Sequence, residues 1–487
     1  MYSIIQKICE KNNKILKEGL KNVLNGADVS TLTGAIKDFT DILGKELLAE
    51  IVAQIENLVF EDTKRKNQYE AVRFAEKSLI TKNGKAKFER RYYKDNETGE
   101  NVCLTDRVLG LEKGERIDKK VKSELIQKAS EQSYSKSGKL VVPEMGISAT
   151  TVMRNVRKNE WKMKIEERKE DEKIKAKNIF IQVDEDHVKE RGKKGCTISK
   201  IITIYTRKRT LTKPDRIPEV KQVRKELVDK FTFAGLYKDT QEMWEDVAYY
   251  IDCTYKKDEI ETAFVMGDGA TYIKAGTEWI AKSVFVLDTF HLEKYINHLK
   301  YDENLKTKLQ EAIDQFDPIS TENIMNEAIK NIEIEIKEDE QLGRNTKRLE
   351  NRLKKIRETK TYLMNQWQGI EAHDKYKDKL TGCCQEGQVH HTLSERMSTD
   401  AKVWCEEGID EMSQLRAFTQ NGGNIYQKII DISTAERREK KIEELEKRIR
   451  KKANRKLFET TGVKIPIAQA RNELYYELKN IWYGKVV

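Results

Sequence analysis

The run Ile179-Phe180-Ile181-Gln182-Val183-Asp184-Glu185-Asp186-His187-Val188 decides the fold. It is apolar and β-branched until it ends in carboxylates, the pattern of a buried strand that delivers acids to its tip. Working outward, Lys189 to Gly195 is a polar turn, and Cys196 to Tyr205 reads as the hairpin partner of the first strand. Phe231 to Tyr237 gives a third, short strand, and Asp239 to Tyr255 carries Met243, Trp244, Val247, Ala248 and Ile251 at helical spacing. A second apolar run, Ile260 to Met266, stops on Gly267-Asp268-Gly269. A helix over Ala270 to Lys282 then leads to a third run, Ser283 to Asp288, and a further helix begins at Thr289.

Three strands in a meander, then helix, strand, helix, strand, helix, is the order of an α/β, ribonuclease-H-like fold: a mixed sheet with helices against its faces. That core is expected over 171–300, with a second part over 381–425. In this topology the first and fourth strands are parallel neighbours, so Asp184 and Asp268 meet. Carboxylates at such range raise one another's pKa, and a hard divalent cation, Mg²⁺ or Mn²⁺, relieves the repulsion. Two such ions about 3.5–4 Å apart activate an attacking oxygen and stabilise a leaving one. Glu386, at the start of a helix that aligns Val389, Leu393 and Met397, is the third expected ligand; Glu395, beside Arg396, is the alternative and better suits a surface ion pair. The expected chemistry is phosphoryl transfer on nucleic acid.

With 487 residues, 36% of them charged, the chain is expected to form several domains. A net charge of +10 suits a polyanionic partner without requiring one. The seven cysteines are scattered apart from Cys383-Cys384, which is no zinc spacing, so a reducing cytoplasm is expected. No GxxxxGK[ST] or GxGxxG occurs, which disfavours a nucleotide cofactor. No apolar stretch has the roughly 18–20 residues of a membrane span, and the N-terminus lacks a signal-peptide core, so no membrane partner is expected.

The flanks divide into recognisable segments. Residues 1–70 read as helices, with Ile15, Leu16, Leu20, Val23 and Leu24, and then Leu43, Leu47, Leu48, Ile51, Ile55, Leu58 and Val59, at helical spacing. Residues 71–115 carry Asn83-Gly84 and Asn96-Glu97-Thr98-Gly99 between strand-like arms, which predicts two small hairpins. Over 116–170, a helix from Lys119 to Ser130, a second element up to Val142, a turn at Pro143 to Gly146 and a helix capped by Ser148 spell a helix-turn-helix, followed by a charged helix or linker. Ile147, Val152 and Val156 would pack inward, leaving Thr150, Thr151, Arg154, Arg157 and Lys158 as candidate DNA contacts. Residues 301–380 form an α-helical insertion whose charge is mostly a solvated face, and 426–487 a charged helical region.

Together these residues resemble a bacterial insertion-sequence transposase of the ISLre type, a group allied to the Mutator-like DDE transposases. The resemblance rests on Val183-Asp184-Glu185-Asp186, Gly267-Asp268-Gly269-Ala270, Leu287-Asp288-Thr289-Phe290-His291-Leu292-Glu293-Lys294, Glu386-Gly387 with His391-Thr392-Leu393-Ser394-Glu395-Arg396, and Trp404 with Leu415-Arg416. It implies a DDE triad at Asp184, Asp268 and Glu386, with Asp288 and His291 beside the site; Asp186, His391 and Arg396 are further accessory candidates. It also implies binding of terminal inverted repeats and target DNA by a homodimer or higher assembly on the bacterial nucleoid. A resolvase-like nuclease without strand transfer, and a DNA-binding protein without catalysis, are the rival readings.

Overall fold

The computed structural model describes residues 10, 13, 16–21, 23–26, 28–143, 145–210 and 225–459, the last nine as backbone only. Ile15, part of the expected N-terminal helical spacing, and the tail beyond 459 lie outside them. The chain forms two compact units: Met1–Asn159 with Asn424–Val487, and Glu160–Gly423.

In the first unit a long helix, Val29–Glu61, starts at Asp28, whose carboxylate accepts from Thr31 N–H. A short helix, Thr63–Gln68, leads into β1 (Tyr69–Thr81), which pairs antiparallel with β2 (Gly84–Asp95). The Asn83-Gly84 turn is therefore the tip of one long hairpin, where two small ones were expected. The Asn96 to Gly99 turn leads only to the two-residue β3, Asn101–Val102, on the edge of β2. Val52, Leu79 and Phe88 form a small core between the long helix and the hairpin.

The segment expected as a helix-turn-helix forms three helices, Lys119–Glu131, Tyr134–Val141 and Ala149–Arg157. Ser148 caps the last helix by accepting from Thr151 N–H at 3.3 Å, and Ile147, Val152 and Val156 are buried. Gly138 lets the middle helix approach: its carbonyl accepts from Ile147 N–H, and a Cβ at 138 would overlap the Ile147 carbonyl. The C-terminal helix, Ile425–Glu459, belongs to this unit. Arg448 donates to Asp95 at 2.7 Å and to the Tyr69 hydroxyl at 3.2 Å, tying that helix to the hairpin.

The second unit is a mixed α/β body around a five-stranded mixed sheet. Its strands are β4 (Asn178–Lys189), β5 (Cys196–Tyr205), β8 (Phe231–Gly235), β9 (Thr262–Gly267) and β10 (Ser283–Leu287), in the spatial order β10-β9-β4-β5-β8. β4, β5 and β8 are antiparallel neighbours, whereas β4, β9 and β10 run parallel. Between β5 and β8 lies a small ribbon of β6 (Arg207–Thr210) and β7 (Lys225–Val228) that the sequence reading did not anticipate.

Alternation along β4 sorts its side chains. Ile179, Ile181 and Val183 join Met243, Trp244, Val247 and Ile251 of the helix Thr240–Thr254 in one core, while Phe180 joins Phe264, Met266 and Val286 on the opposite face. The segment expected to be a helix over Ala270 to Lys282 is two short helices, Thr271–Lys274 and Gly276–Trp279. The stretch after Glu160, expected as a charged helix or linker, is irregular chain with a turn at 170–172, packed onto the unit: Trp161 is buried beside Phe418, and Ile165, Ile174 and Ala176 lie against the first core. The insertion is helical as expected, Glu303–Asp314, Pro318–Gln341, Lys347–Asn365 and Trp367–Lys375, and shares a core with Leu287, Leu292 and Ile296.

Candidate active site at the ends of the parallel strands

The site begins with register. β4 and β9 pair in parallel up to Gln182 with Met266, and β9 and β10 up to Gly267 with Leu287. Carrying both offsets forward sets Asp184, Asp268 and Asp288 level: Asp268 and Asp288 follow the last residues of β9 and β10, and Asp184 lies within β4 just past the end of its pairing with β9, although β4 itself runs on to Lys189 against β5. Asp288 N–H donates to Gly267 O at 2.8 Å, which extends the β9–β10 pairing to the acid itself.

Each acid is fixed locally. Asp184 Oδ1 accepts from Glu185 N–H at 2.8 Å, and Asp268 Oδ1 accepts from Ala270 N–H at 2.9 Å in the turn after β9. Asp288 caps the helix Thr289–Ile296 through Phe290 N–H at 3.1 Å and meets His291 Nδ1 at 3.2 Å. Gly269 turns with φ +89°, and a Cβ there would collide with the Gln366 amide.

Glu386 reaches the same edge through a contact that the sequence reading missed. Gln182, two residues before Asp184 and fully buried, accepts on Oε1 from Cys384 N–H at 3.3 Å and from Cys384 Sγ at 3.1 Å, and its Nε2 donates to the Tyr205 hydroxyl at 2.8 Å. It thereby pins the loop that opens the short helix Gln385–Val389. Gln385 is buried as well, and its Nε2 donates to Ile201 O at 3.4 Å. The helix continues through a π-turn, His390–Ser394, into Glu395–Met397, and buries Val389, Leu393 and Met397 as expected.

Electrostatics links these groups. Burial pushes the Asp184 carboxyl up to about 7, and the charges of Asp268 and Glu386 push the same way against the Glu185 N–H and His291. His291 is raised above the ordinary imidazole value by its hydrogen bond to Asp288 and by the charges of Asp184, Asp288 and Asp268. Burial works against ionisation of Asp288, yet His291 and the Phe290 N–H hold its carboxyl below the usual range. Asp184, Asp268 and Glu386 make no ion pair among the described residues. Among those residues, too, no three His, Cys, Asp or Glu side chains are gathered closely enough to hold a metal ion. The three acids therefore share a field without being drawn into a closed ligand cluster.

The other candidates fall at different distances from this group. Asp186 is buried and accepts from Ser398 Oγ at 3.0 Å, and burial raises its carboxyl. It anchors the segment after the π-turn. Arg396 is buried over the Trp404 ring at 4.7 Å, and His391 is exposed beside His390. Glu395 is exposed and pairs with Arg416 at 3.5 Å, the surface role its neighbours in sequence suggested. On the helix Ala149–Arg157, Thr150 and Arg154 are exposed, Thr151 is half-buried against the Ser148 hydroxyl, and Arg157 is half-buried. Lys158 pairs with Glu112 at 2.9 Å and Glu436 at 3.8 Å, so its charge is already engaged within its own unit.

The insertion supplies two further residues. The Tyr362 hydroxyl donates to Asp268 O at 2.7 Å, and Gln366 Nε2 donates to Gly269 O at 3.0 Å, so the turn carrying Asp268 rests on helices read from sequence as a solvated excursion. Gln182 left a trace, an amide inside an apolar run two residues before an acid. Tyr362 and Gln366 left none, because their partners are remote along the chain.

A model of the uncharacterised protein family UPF0236 matches residues 22–430. This chain belongs to that family. The match spans the long N-terminal helix, the hairpin, the three helices from Lys119–Glu131 to Ala149–Arg157, the sheet and the insertion. A UPF0236 protein of Caldanaerobacter subterraneus subsp. tengcongensis is 33% identical over 473 residues, 95% of this chain and 94% of the relative, and its name joins eleven designations. A second from that organism is 31% identical over 472 residues, 95% of this chain and 94% of its own. A third, whose name joins four designations, is 31% identical over 472 residues, 95% and 93% of the two chains.

Proposed function

We propose that this chain is a DDE-type DNA transposase with a ribonuclease-H-like catalytic core. The observation that carries the reading is geometric: the parallel register of β4, β9 and β10 sets Asp184 level with Asp268 and Asp288, and Asp268 and Glu386 are near enough for their charges to act on the Asp184 carboxyl. The strand order supports the fold: counted along the chain, the five core strands lie 5-4-1-2-3, a meander followed by two parallel crossovers. The relatives support mobility, because designations joined under one name, read as loci, place one sequence at many positions in a genome.

The residues fit divalent cations in donor type and charge. Three carboxylates supply hard oxygens, and their mutual repulsion is what such a cation relieves. Asp184, Asp268 and Glu386 would hold two Mg²⁺ or Mn²⁺ ions, whose chemistry when bound is to activate an attacking oxygen and stabilise a leaving one. Exposed Glu386 has the freedom to close the set by changing rotamer. With Nδ1 engaged by Asp288, His291 has Nε2 left to contact the scissile phosphate as imidazolium. Tyr362, Gln366 and Gln182 hold the turn and the loop that carry Asp268 and Glu386. Cleavage at the element's end leaves a 3′ hydroxyl, and the same acids serve when that hydroxyl attacks target DNA. The helix Ala149–Arg157 reads the terminal repeats, and two ends brought together imply at least a dimer.

The test is an incubation of purified protein with labelled element ends, Mg²⁺ and target DNA. The reading expects joined products that vanish with chelator and in Asp268→Ala, while end binding persists. Cut but unjoined ends would support a nuclease. Shifted, intact DNA would leave a binding protein.

A further inference from the structure

A cavity of about 130 Å³ lies at the β8 edge of the sheet, two strands away from β4. It opens between β8, the helices Thr240–Thr254 and Glu406–Gln420, and the chain at Trp161 to Met163. A cavity of this order holds a ligand of about six non-hydrogen atoms. Its walls are of two kinds. Trp161, Phe231, Tyr237 and Phe418 supply aromatic faces. Trp161 and Phe418 lie with centroids 5.7 Å apart, and Phe231 is fixed by stacking on Tyr250 at 4.2 Å.

The polar wall is acidic: exposed Glu242 at the rim and half-buried Asp410. Lys162, also in the lining, is engaged by Asp246 at 2.7 Å. Asp410 accepts from two neutral donors, Leu236 N–H at 2.8 Å and the Gln414 amide at 2.9 Å, and among the described residues neither it nor Glu242 has an ion pair. A Cβ at Gly235 would come 2.9 Å from Asp410 Oδ1, so the glycine leaves the room this carboxylate occupies at the strand edge. The Tyr237 hydroxyl has no hydrogen-bond partner among the described residues, and its oxygen is not one of the unpaired atoms that are fully enclosed. Burial, and then the charges of Asp246, Glu242 and Asp410, raise it above the ordinary phenol value. The cavity thus meets a phenol that stays protonated and has lone pairs left for a donor. Aromatic faces attract cations, and carboxylates accept strongly from charged N–H groups. A hydrated metal ion would use the carboxylates but not the rings, whereas an organic cation uses both.

We propose that this cavity binds a primary alkylammonium ion, its N–H groups on Asp410, Glu242 and the Tyr237 hydroxyl and its carbon chain against Trp161, Phe231 and Phe418. A free amine and the side chain of a lysine offer the same chemistry. Occupancy does not depend on the reaction at Asp184, Asp268 and Glu386.

The probe is n-butylammonium, titrated into the full chain at low salt and neutral pH and followed by saturation-transfer NMR, with 1-butanol as its neutral counterpart. Saturable binding of the ammonium, and none of the alcohol at equal concentration, is expected. Asp410→Asn, which keeps an acceptor for Leu236 N–H, should weaken binding about tenfold, the size of one hydrogen bond to a charged group. Glu242→Gln, at an exposed position, should weaken it about threefold. An unchanged thermal transition in each variant checks its fold. Joint replacement of Asp184, Asp268 and Glu386 by their amides should leave binding as it was, which separates this cavity from the acids at the strand ends. Nα-acetyl-lysine methylamide distinguishes the two sources: binding as tight as that of the amine assigns the cavity to a lysine side chain, and weaker binding assigns it to a free amine. Equal binding of the alcohol, titrations unaltered by both Asp410→Asn and Glu242→Gln, or no saturable signal at all overturns the proposal.

Discussion

In the unit built from Met1–Asn159 and Asn424–Val487, buried acids are answered by cations. Asp106 accepts from Arg90 at 2.8 Å and Lys77 at 3.3 Å, and Asp95 accepts from Arg448 at 2.7 Å. At the ends of the parallel strands in Glu160–Gly423, Asp184 is nearly as enclosed, yet two further carboxylates act on it, opposed by His291 and one N–H. The first arrangement is what stability selects, since buried charges survive only when paired. The second costs stability and is the kind of arrangement found where chemistry is done. Sequence composition does not distinguish the two, because both regions are rich in Asp, Glu, Lys and Arg; only the three-dimensional neighbours do.

The comparison breaks most decisively on activity. Asp184→Asn should lower strand cleavage by about 10²–10³-fold or more, the scale of lost charge stabilisation at a reacting centre, while Asp106→Asn should leave cleavage by correctly folded protein intact. Stability should respond in the opposite sense. Arg90→Met removes a cation from Asp106 and should cost about 3 kcal/mol in chemical denaturation, whereas Asp184→Asn, which removes an unpaired charge, should stabilise the metal-free protein.

The pH dependence sharpens the contrast. A carboxyl raised from 3.8 to about 7 favours the fold while it keeps its proton, so the Asp184 contribution declines from about pH 4 to pH 7, by at most an amount on the order of 4 kcal/mol. His291, also raised, adds stability that is complete below its ordinary value of 6.5 and is lost as pH rises through its folded value, in the same direction. Asp95, which burial pushes up but the Thr98 and Glu97 N–H groups and then Arg448 hold below 3.8, behaves oppositely: its contribution is present above 3.8 and lost as pH falls through its folded value. Denaturation followed from pH 4 to 8 without metal should therefore show falling stability in the sheet-bearing unit, and Mg²⁺ should remove most of that fall. The smallest effect belongs to the helix Ala149–Arg157, the proposed DNA contact. Arg154→Ala should weaken DNA binding and reduce its salt slope by about one, whereas Lys158→Ala should do less because Glu112 and Glu436 already hold that lysine.

What the sequence disclosed follows from how locally each feature is encoded. The strands and their order were legible because β-branched runs end on acids or on Gly267-Asp268-Gly269, and the helix Ala149–Arg157 because Ser148 is a cap in sequence as in space. Both expected turns join antiparallel strands, but the first hairpin was read as small because the arms Tyr69–Thr81 and Gly84–Asp95 are longer than their alternation suggests. The supports of the candidate site were hidden for a different reason. Tyr362 and Gln366 look like ordinary members of a charged helical stretch, and their role exists only once the insertion folds back under Asp268. The return of the helix Ile425–Glu459 to the hairpin through Arg448 was equally invisible, since nothing near residue 448 refers to Asp95.

Whether Asp184, Asp268 and Glu386 make one site for divalent cations is tested by titration calorimetry with Mn²⁺ near pH 6.5, below the raised Asp184 value. The account predicts saturable binding accompanied by proton release from Asp184, lost when all three acids are replaced by their amides. Equal binding by the unaltered and triple-amide proteins would contradict it.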